Sequence, residues 1–374
     1  MRVSIVIDNY NYERFIAAAI ESSLEQTYAD TEIIIVDDGS TDGSRAIIDS
    51  YGNRFARKIF KENGGQGSAF NAGFAASTGD VLIYLDADDL LLPDAAATIA
   101  DHADDSFAKL TWQMQIVGSD GKPTGNLEPA EPPEAGDMVG RLARRGPYCF
   151  RIAPTSGNAW SRRYLERVMP LPEKSYRRGP DDYLLMLSPL YGATVRINRP
   201  ISCYRRHADN FLASQSEFEK MATLKRRHVI SSDILAEALT EHGVQFDRSM
   251  WHHPHWDILE RLRQLVVDHV PADATILLID QDKLNVGRTF FGRPRRHLME
   301  YEGGYYGPPS EGQAAVEQIK EMQTEGVRYV VLTSSCLWWL EHYTPLREFL
   351  ENHGRRIVYE PAAAIFMLPN ERAC

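Results

Sequence analysis

Four cysteines in 374 residues, at Cys149, Cys203, Cys336 and Cys374, are too few for a disulfide framework. None falls in a C-x-x-C pair, so neither a zinc knuckle nor a redox motif is indicated, and free thiols fit an intracellular chain. Long apolar runs are also missing: none approaches the ~20 residues that span a bilayer. The opening run Val3–Ile7 stops at Asp8 after a single basic residue and reads as a strand rather than a signal peptide. Basic charge is in deficit. Lys+Arg number 41 against 52 Asp+Glu, a formal net charge of −11, which argues against a duplex-binding face and against nucleic acid as a partner. No repeat or low-complexity tract stands out. What remains is an ordinary globular composition, 43% hydrophobic and 25% charged, at a length that suggests two domains of ~100–200 residues each. The acidic excess poses a question: are the carboxylates spread for solubility, or are some grouped to hold a cation?

Strand and helix patterns alternate through the first hundred residues. Val3–Ile7, Glu32–Val36 and Val81–Leu85 are short apolar runs of the kind buried on both faces of a parallel sheet, and Lys58–Lys61 is a weaker one. Helical spacing covers Phe15–Leu24 and Gly43–Tyr51, and a Gly-rich turn, Asn63-Gly64-Gly65-Gln66-Gly67, opens a helix to about Ala76. The series predicts a doubly wound α/β sheet, whose ligands bind at the carboxyl ends of the strands. Acids stand at those ends: Asp8 after the first strand, Asp37-Asp38 after the second, and Asp86-Ala87-Asp88-Asp89 after the fourth. Further on, Asn126–Gly136 reads as a loop, Tyr183–Leu187 as a helix, and Met221–Val229 and Ile234–Glu241 as two amphipathic helices. A second α/β pattern follows, with strands at Ala274–Ile279 and Val327–Thr333 and a helix at Glu311–Glu325. The predicted division is 1–210, a helical connector at 211–265, and a smaller Rossmann-like α/β domain at 266–374.

Alternate residues of an extended segment point the same way, so Asp86 and Asp88 can converge on a hard cation, Mg²⁺ or Mn²⁺, that also takes diphosphate oxygens. Ser40 or Thr41 suits the cap of the following helix, while two adjacent acids at Asp37-Asp38 suit acceptance from a base N–H or a ribose hydroxyl.

The blocks Ile5-Val6-Ile7-Asp8-Asn9-Tyr10-Asn11, Ser23-Leu24-Glu25-Gln26-Thr27-Tyr28, Glu32 to Asp42, Asn71-Ala72-Gly73 and Leu85-Asp86-Ala87-Asp88-Asp89 follow one another in the order and spacing of a known family. Residues 1–210 resemble glycosyltransferase family 2, with its mixed-sheet GT-A fold. That resemblance implies an inverting enzyme that moves a sugar from a nucleotide-diphosphate donor, UDP-linked, to a hydroxyl of a glycan or lipid-linked acceptor. It implies that Asp8 and Tyr10 line the nucleotide, Tyr10 by stacking near the base, although Asp8 stands where the family commonly has Pro. Asp38 would accept from the base or ribose, Asp86 would lie near the ribose or diphosphate, and Asp88 would hold Mn²⁺ or Mg²⁺. Gln66 is either a further nucleotide contact or a helix-start residue. The family's acidic pair at a helix start corresponds to Gly179-Pro180-Asp181-Asp182-Tyr183. Asp181 is favoured as the base, with Asp182 as the alternative and one of the two as helix cap. In Thr155 to Arg163, Gly157 would let a sugar approach, and Trp160 would stack on a sugar or fill the core. Cys203 to Asn210 matches a Tyr-Arg-x-His block, so Arg205 and His207 suit the diphosphate or the metal.

Other features carry less. His252, His253 and His255 surround Pro254 without a companion acid and read as a loop or interface rather than a metal site. Arg288, Arg293, Arg295, Arg296 and His297 read as a solvated loop rather than a phosphate or lipid site. Trp338-Trp339-Leu340 reads as core or an interdomain contact. Asp280-Gln281-Asp282 follows Ala274–Ile279 where a dinucleotide site would need G-x-G-x-x-G. This C-terminal part resembles modules on some bacterial polysaccharide-assembly transferases. The setting implied is the cytoplasm or the cytoplasmic side of the inner membrane, where peripheral association and oligomers are both compatible. Two other classes compete: a nucleotidyltransferase, which would need a Gly-rich basic loop after the first strand where this chain has Asp8-Asn9-Tyr10-Asn11-Tyr12, and a catalytically silent glycan-binding or scaffolding subunit.

Overall fold

The computed structural model describes residues 1–136, 138–207, 217–251, 254–280, 284, 289–298, 300–301, 304–305, 308–309 and 311–369. His252, His253, Gln281, Asp282, Arg288, Cys374 and the Ala208-Asp209-Asn210 end of the Tyr-Arg-x-His block lie outside them. The chain forms two compact units, Met1–His207 with Arg227–His252, and Ala208–Arg226 with His253–Cys374.

In the first unit the order is β1 (Val3–Asn9), α1 (Ile16–Leu24), β2 (Thr31–Asp37), α2 (Ser44–Ser50), β3 (Arg57–Phe60), α3 (Gln66–Ala76), β4 (Val81–Asp86), β5 (Leu90–Leu91) and α4 (Ala95–His102). There follow β6 (Phe107–Thr111), β7 (Met114–Val117), β8 (Pro123–Glu128), α5 (Val139–Arg145), β9 (Asn158–Ser161), α6 (Arg162–Val168), α7 (Pro180–Leu187), β10 (Ala193–Arg196), β11 (Ser202–Arg205) and, from Arg227 onward, α8 (Glu217–Glu241). The main sheet has seven strands in the order β10-β6-β9-β4-β1-β2-β3. β4, β1, β2 and β3 run parallel, and β9 is antiparallel to both β4 and β6, so the sheet is mixed. A second sheet, β5-β11-β7-β8, carries the end of this segment.

Every residue of β1 is buried, because helices cover both faces of the sheet. Ile5 and Ile7 pack with Ile33, Ile35, Ile16 and Ile99 on one face. Val6 packs with Ile34, Phe70, Tyr164 and Leu184 on the other. The register sets Asp8 opposite Val36 on one side and Asp86 on the other, and Asn9 opposite Asp37. The strand-end acids are therefore level with one another.

Two expectations for residues 126–241 change. The two amphipathic helices after residue 216 are one 25-residue helix, α8. Ser231 and Ser232, which lie between the two expected spans, are buried in it, and the Ser231 hydroxyl lies 2.9 Å from both Tyr148 and Tyr176 hydroxyls. No Gly or Pro interrupts the span, so the helix continues. The Pro/Glu-rich loop begins only after β8, which extends to Glu128.

The second unit contains α9 (Pro254–His269), β12 (Ile276–Ile279), β13 (Thr289–Phe290), β14 (Arg293–His297), β15 (Glu300–Tyr301), β16 (Gly304–Tyr305), α10 (Gly312–Thr324), β17 (Tyr329–Thr333), α11 (Trp338–His342), α12 (Thr344–His353), β18 (Arg355–Glu360) and β19 (Ala363–Met367). Its sheet runs β13-β14-β12-β17-β19-β18, with β14, β12 and β17 parallel. The Arg-rich segment, expected as a loop, pairs as β14. Arg293 is buried and donates to the Val270 carbonyl at the end of α9 at 2.8 Å, the charge complement a helix C-terminus favours. Trp339 and Leu340 lie in the core, whereas Trp338 is 40% exposed. No described helix is long and apolar enough to cross a membrane.

Candidate active site

β1 and β4 deliver Asp8 and Asp86 side by side, and the turn after β4 brings in Asp88 and Asp89. Asp86, Asp88 and Asp89 each present a carboxylate oxygen within 4.8 Å of the others. Burial opposes the ionisation of Asp8, Asp86 and Asp89. It pushes Asp8 up to about 8, against the pull of the Gln66 amide, with Asp88 and Asp181 adding repulsion. Asp86 and Asp89 are held well above the usual carboxyl range, first by burial and then by neighbouring acids. Asp8 Oδ1 and Asp89 Oδ2 are buried with no hydrogen-bond partner among the described residues. Unpartnered buried carboxylate oxygens in an acidic cluster fit a hard divalent cation, which takes oxygen ligands and relieves the repulsion.

His207 closes the cluster. Its Nε2 lies 2.9 Å from Asp88 Oδ2, and its ring packs 4.5 Å from Phe15 and edge-on to Tyr12. Arg205, buried at the end of β11, donates its Nε to the Asp88 carbonyl at 2.8 Å, and its backbone N–H donates to Asp89 Oδ1 at 2.9 Å. The guanidinium thus braces the D-x-D turn through its backbone and lies over Phe15.

The acids after β2 have different tasks. Asp37 is fully buried; its oxygens accept from Asn9 at 2.8 Å, from the Ser40 N–H at 3.0 Å and from Arg45 at 2.6 Å. Burial opposes its charge, yet the Ser40 and Arg45 contacts hold it below the ordinary range. Asp38 accepts from Lys61 Nζ at 2.5 Å and from the Gly64 and Gly65 N–H groups at 2.9 and 2.6 Å. It therefore anchors the Gly-rich turn. Gly65, at φ +94°, could carry no side chain: a Cβ would lie 2.5 Å from the Arg177 carbonyl oxygen.

That close approach sets Gln66 between two parts of the site. Its Nε2 donates to Asp86 Oδ1 at 2.9 Å, and its Oε1 accepts from the Gly179 N–H at 3.2 Å. Gly179, left-handed at φ 63°, and Pro180 open α7 and present Asp181 and Asp182 in its first turn. The two differ. Asp182 accepts from Arg227 of α8 at 3.2 Å, and burial, then Asp181, raises it to about 7. Asp181 is hydrogen-bonded by Thr155 and raised by burial, and its charge acts in turn on Asp8 and Asp86.

Tyr10 is 45% exposed just beyond β1. Gly157 sits in a buried 3-10 turn where a Cβ would meet Ala153 at 2.7 Å, and Trp160 is enclosed in β9 beside Tyr164. These two are packed in the interior next to the site. Sequence reasoning passed over Tyr12, whose hydroxyl is raised by burial and then by Asp88, Asp86 and Asp8. It also passed over Ser156, which accepts from the Asp86 N–H at 3.1 Å, and Arg227. Tyr12 stands four residues after Asp8, a visible signal; Arg227 carries none, because only the fold brings α8 to the α7 turn.

The family profile described as Glycosyl transferase family 2 matches residues 4–163. An uncharacterised glycosyltransferase of a Nostoc sp. is 32% identical over 278 residues, 70% of this chain and 86% of that protein. The succinoglycan biosynthesis protein ExoO of Rhizobium meliloti is 30% identical over 193 residues, 50% of this chain and 55% of that protein. Among solved structures, S. aureus TarS 1–349 in complex with UDP-GlcNAc aligns over 71% of this chain and 73% of that chain, at 18% identity and a TM-score of 0.47.

Proposed function

The chain belongs to glycosyltransferase family 2, and on that premise we propose that it is a metal-dependent, inverting transferase that passes a sugar from a UDP-linked donor to a hydroxyl of a glycan or lipid-linked acceptor. One observation carries the reading: Asp181 is near enough to the strand-end acids for its charge to act on Asp8 and Asp86, and Gln66 hydrogen-bonds both Asp86 and the Gly179 N–H before Asp181. Asp181 takes the proton of the acceptor hydroxyl as its oxygen bonds to the anomeric carbon. The bond from that carbon to the diphosphate breaks on the opposite face, so the configuration inverts. Asp86, Asp88 and Asp89, with His207 beside Asp88, are the groups that would hold Mn²⁺ or Mg²⁺. A divalent cation bound there supplies charge neutralisation to the departing diphosphate. Tyr10, exposed beyond β1, and Asp38 flank the space assigned to the nucleotide. The likeness to ExoO supports polysaccharide assembly as the setting, and the cytoplasmic face of the membrane is the place we propose for it.

Thermal-shift titration with UDP-, GDP- and TDP-sugars, with and without Mn²⁺, tests the donor. Stabilisation by the UDP series, dependent on metal, supports the reading. Stabilisation by another base reassigns the donor, and none by any nucleotide sinks it. Asp181→Asn should retain donor binding and lose turnover. Loss in Asp182→Asn with retention in Asp181→Asn would reassign the base.

A further inference from the structure

α8 lies outside the span matched by the family profile, yet it reaches the turn that bears the proposed base. Arg227 Nη1 donates to Asp182 Oδ2 at 3.2 Å, and its Nη2 donates to the Arg178 carbonyl at 2.7 Å. The guanidinium so closely backs Gly179 that a Cβ there would lie 2.7 Å from Nη2. Ser231, one turn further along the same face, lies 2.9 Å from the hydroxyls of Tyr148 and Tyr176. Tyr176 and Arg177 in turn abut the Gly-rich turn, and Arg177 donates to the Gly64 carbonyl at 3.0 Å. A polar stripe on α8 therefore grips both flanks of the segment that carries Gly179, Asp181 and Asp182.

Two adjacent buried acids repel each other, and together they tend to hold a proton between them. A single cation placed against one of them lowers the cost of ionising the pair. We propose that Arg227 is the positioning residue of the transfer reaction: by pairing with Asp182 and clamping the 178–182 turn to α8, it keeps Asp181 ionised and aimed at the acceptor. The inference rests on Asp181 being the base. The charges that bear on Asp181 are Asp182 from α7, Arg227 from α8, Asp8 from β1 and Asp86 at the end of β4; Thr155 donates to it, and Tyr148 stands by Asp182. Arg227 is the cation among them, and it lowers both members of the pair.

Removing that charge raises the pKa values of the pair, so the acid limb of the rate profile moves to higher pH. The experiment is nucleotide release from the UDP-sugar that stabilises the wild-type protein, followed from pH 5.5 to 9 in wild type, Arg227→Met and Arg227→Lys, with UDP affinity and melting temperature measured on each. The expected result is an acid limb about one pH unit higher in Arg227→Met, a kcat about tenfold lower at pH 7 that recovers at pH 9, UDP affinity within about twofold, and return towards wild type in Arg227→Lys. An unmoved limb overturns the proposal, whether the rate is normal or uniformly low. Asp181→Asn separates the two readings: if it retains turnover, the base assignment has failed; if it abolishes turnover while the Arg227→Met limb stays put, the role of Arg227 alone has failed.

Discussion

Gln66 hydrogen-bonds Asp86 at 2.9 Å while accepting from the Gly179 N–H, so one amide couples the acidic strand end to the turn before Asp181. An amide suits this place because it donates to a carboxylate and accepts from an N–H in opposite directions. Gln66→Leu keeps the bulk and loses both bonds. Each is worth ~1 kcal/mol to stability, so the fold should survive, but Asp86 loses a donor in an already repulsive cluster. We expect donor turnover to fall about 10- to 100-fold with a melting temperature within a few degrees of wild type. Steady-state nucleotide release beside a thermal melt checks this.

Asp8 gives the cluster a pH signature. Its folded-state pKa is about 8, against ~3.9 for a free aspartate. The folded state therefore binds more protons than the unfolded state between those values. The stability associated with the neutral carboxyl is complete below about pH 4 and is lost as the pH rises towards 8. Asp8→Asn removes the penalty, so its melting temperature should exceed wild type by several degrees at pH 8 and differ little at pH 4, at ~2–4 °C per kcal/mol. Equal shifts at both pH values would contradict the assignment.

A cation should counter the same penalty. Mn²⁺ at ~100 times its Kd should stabilise the protein by ~2.7 kcal/mol. Asp88→Ala removes a proposed metal ligand and the partner of His207, and should abolish both the metal-dependent thermal shift and donor turnover. Turnover that persists in this variant with chelator present would end the metal reading.

Lys109 is buried in β6 in register with Trp160, and burial alone lowers its pKa to about 7. Here the sign is opposite to that of Asp8. The unfolded chain binds the proton more tightly, so stability rises with pH between about 7 and 10.4. Lys109→Met keeps the apolar stem and drops the amine, so it should raise the melting temperature at pH 6, with the gain shrinking by pH 9. Melts at the two pH values decide it.

The strand-end acids were legible because buried parallel strands are continuous apolar runs: Ile5-Val6-Ile7 and Ile33 to Val36 announce themselves, and the first polar residue after each run lies at the ligand-binding edge. The divergent roles of adjacent acids were not legible. Asp37 is used up by Asn9, Ser40 and Arg45, and Asp182 by Arg227, through contacts whose partners are 45 residues away in the second case. The continuity of α8 was hidden for a related reason. Ser231 and Ser232 break an apolar stripe on paper, but in the fold the Ser231 hydroxyl meets Tyr148 and Tyr176. Pairing of the Arg-rich stretch as β14 depends on the α9 carbonyls that Arg293 serves, which no local pattern displays.

Trp160 presents the same limit as a testable case. Position alone allowed a sugar-stacking surface or a core residue; in the fold the indole is enclosed, opposite Leu82 of β4 and Lys109 of β6, and packed on Tyr164. A stacking residue changes donor or acceptor KM when its ring is trimmed. A core residue changes stability, because the lost volume leaves a cavity. Trp160→Ala should therefore lower stability by ~3–5 kcal/mol, and the milder Trp160→Phe should lower the melting temperature while leaving donor KM within about twofold. A tenfold rise in KM with an unchanged melt in Trp160→Phe would return the residue to the cleft. The same measurement on Tyr10→Ala should give the reverse pattern, since 45% of that side chain's residue surface is already open to solvent and little packing is lost.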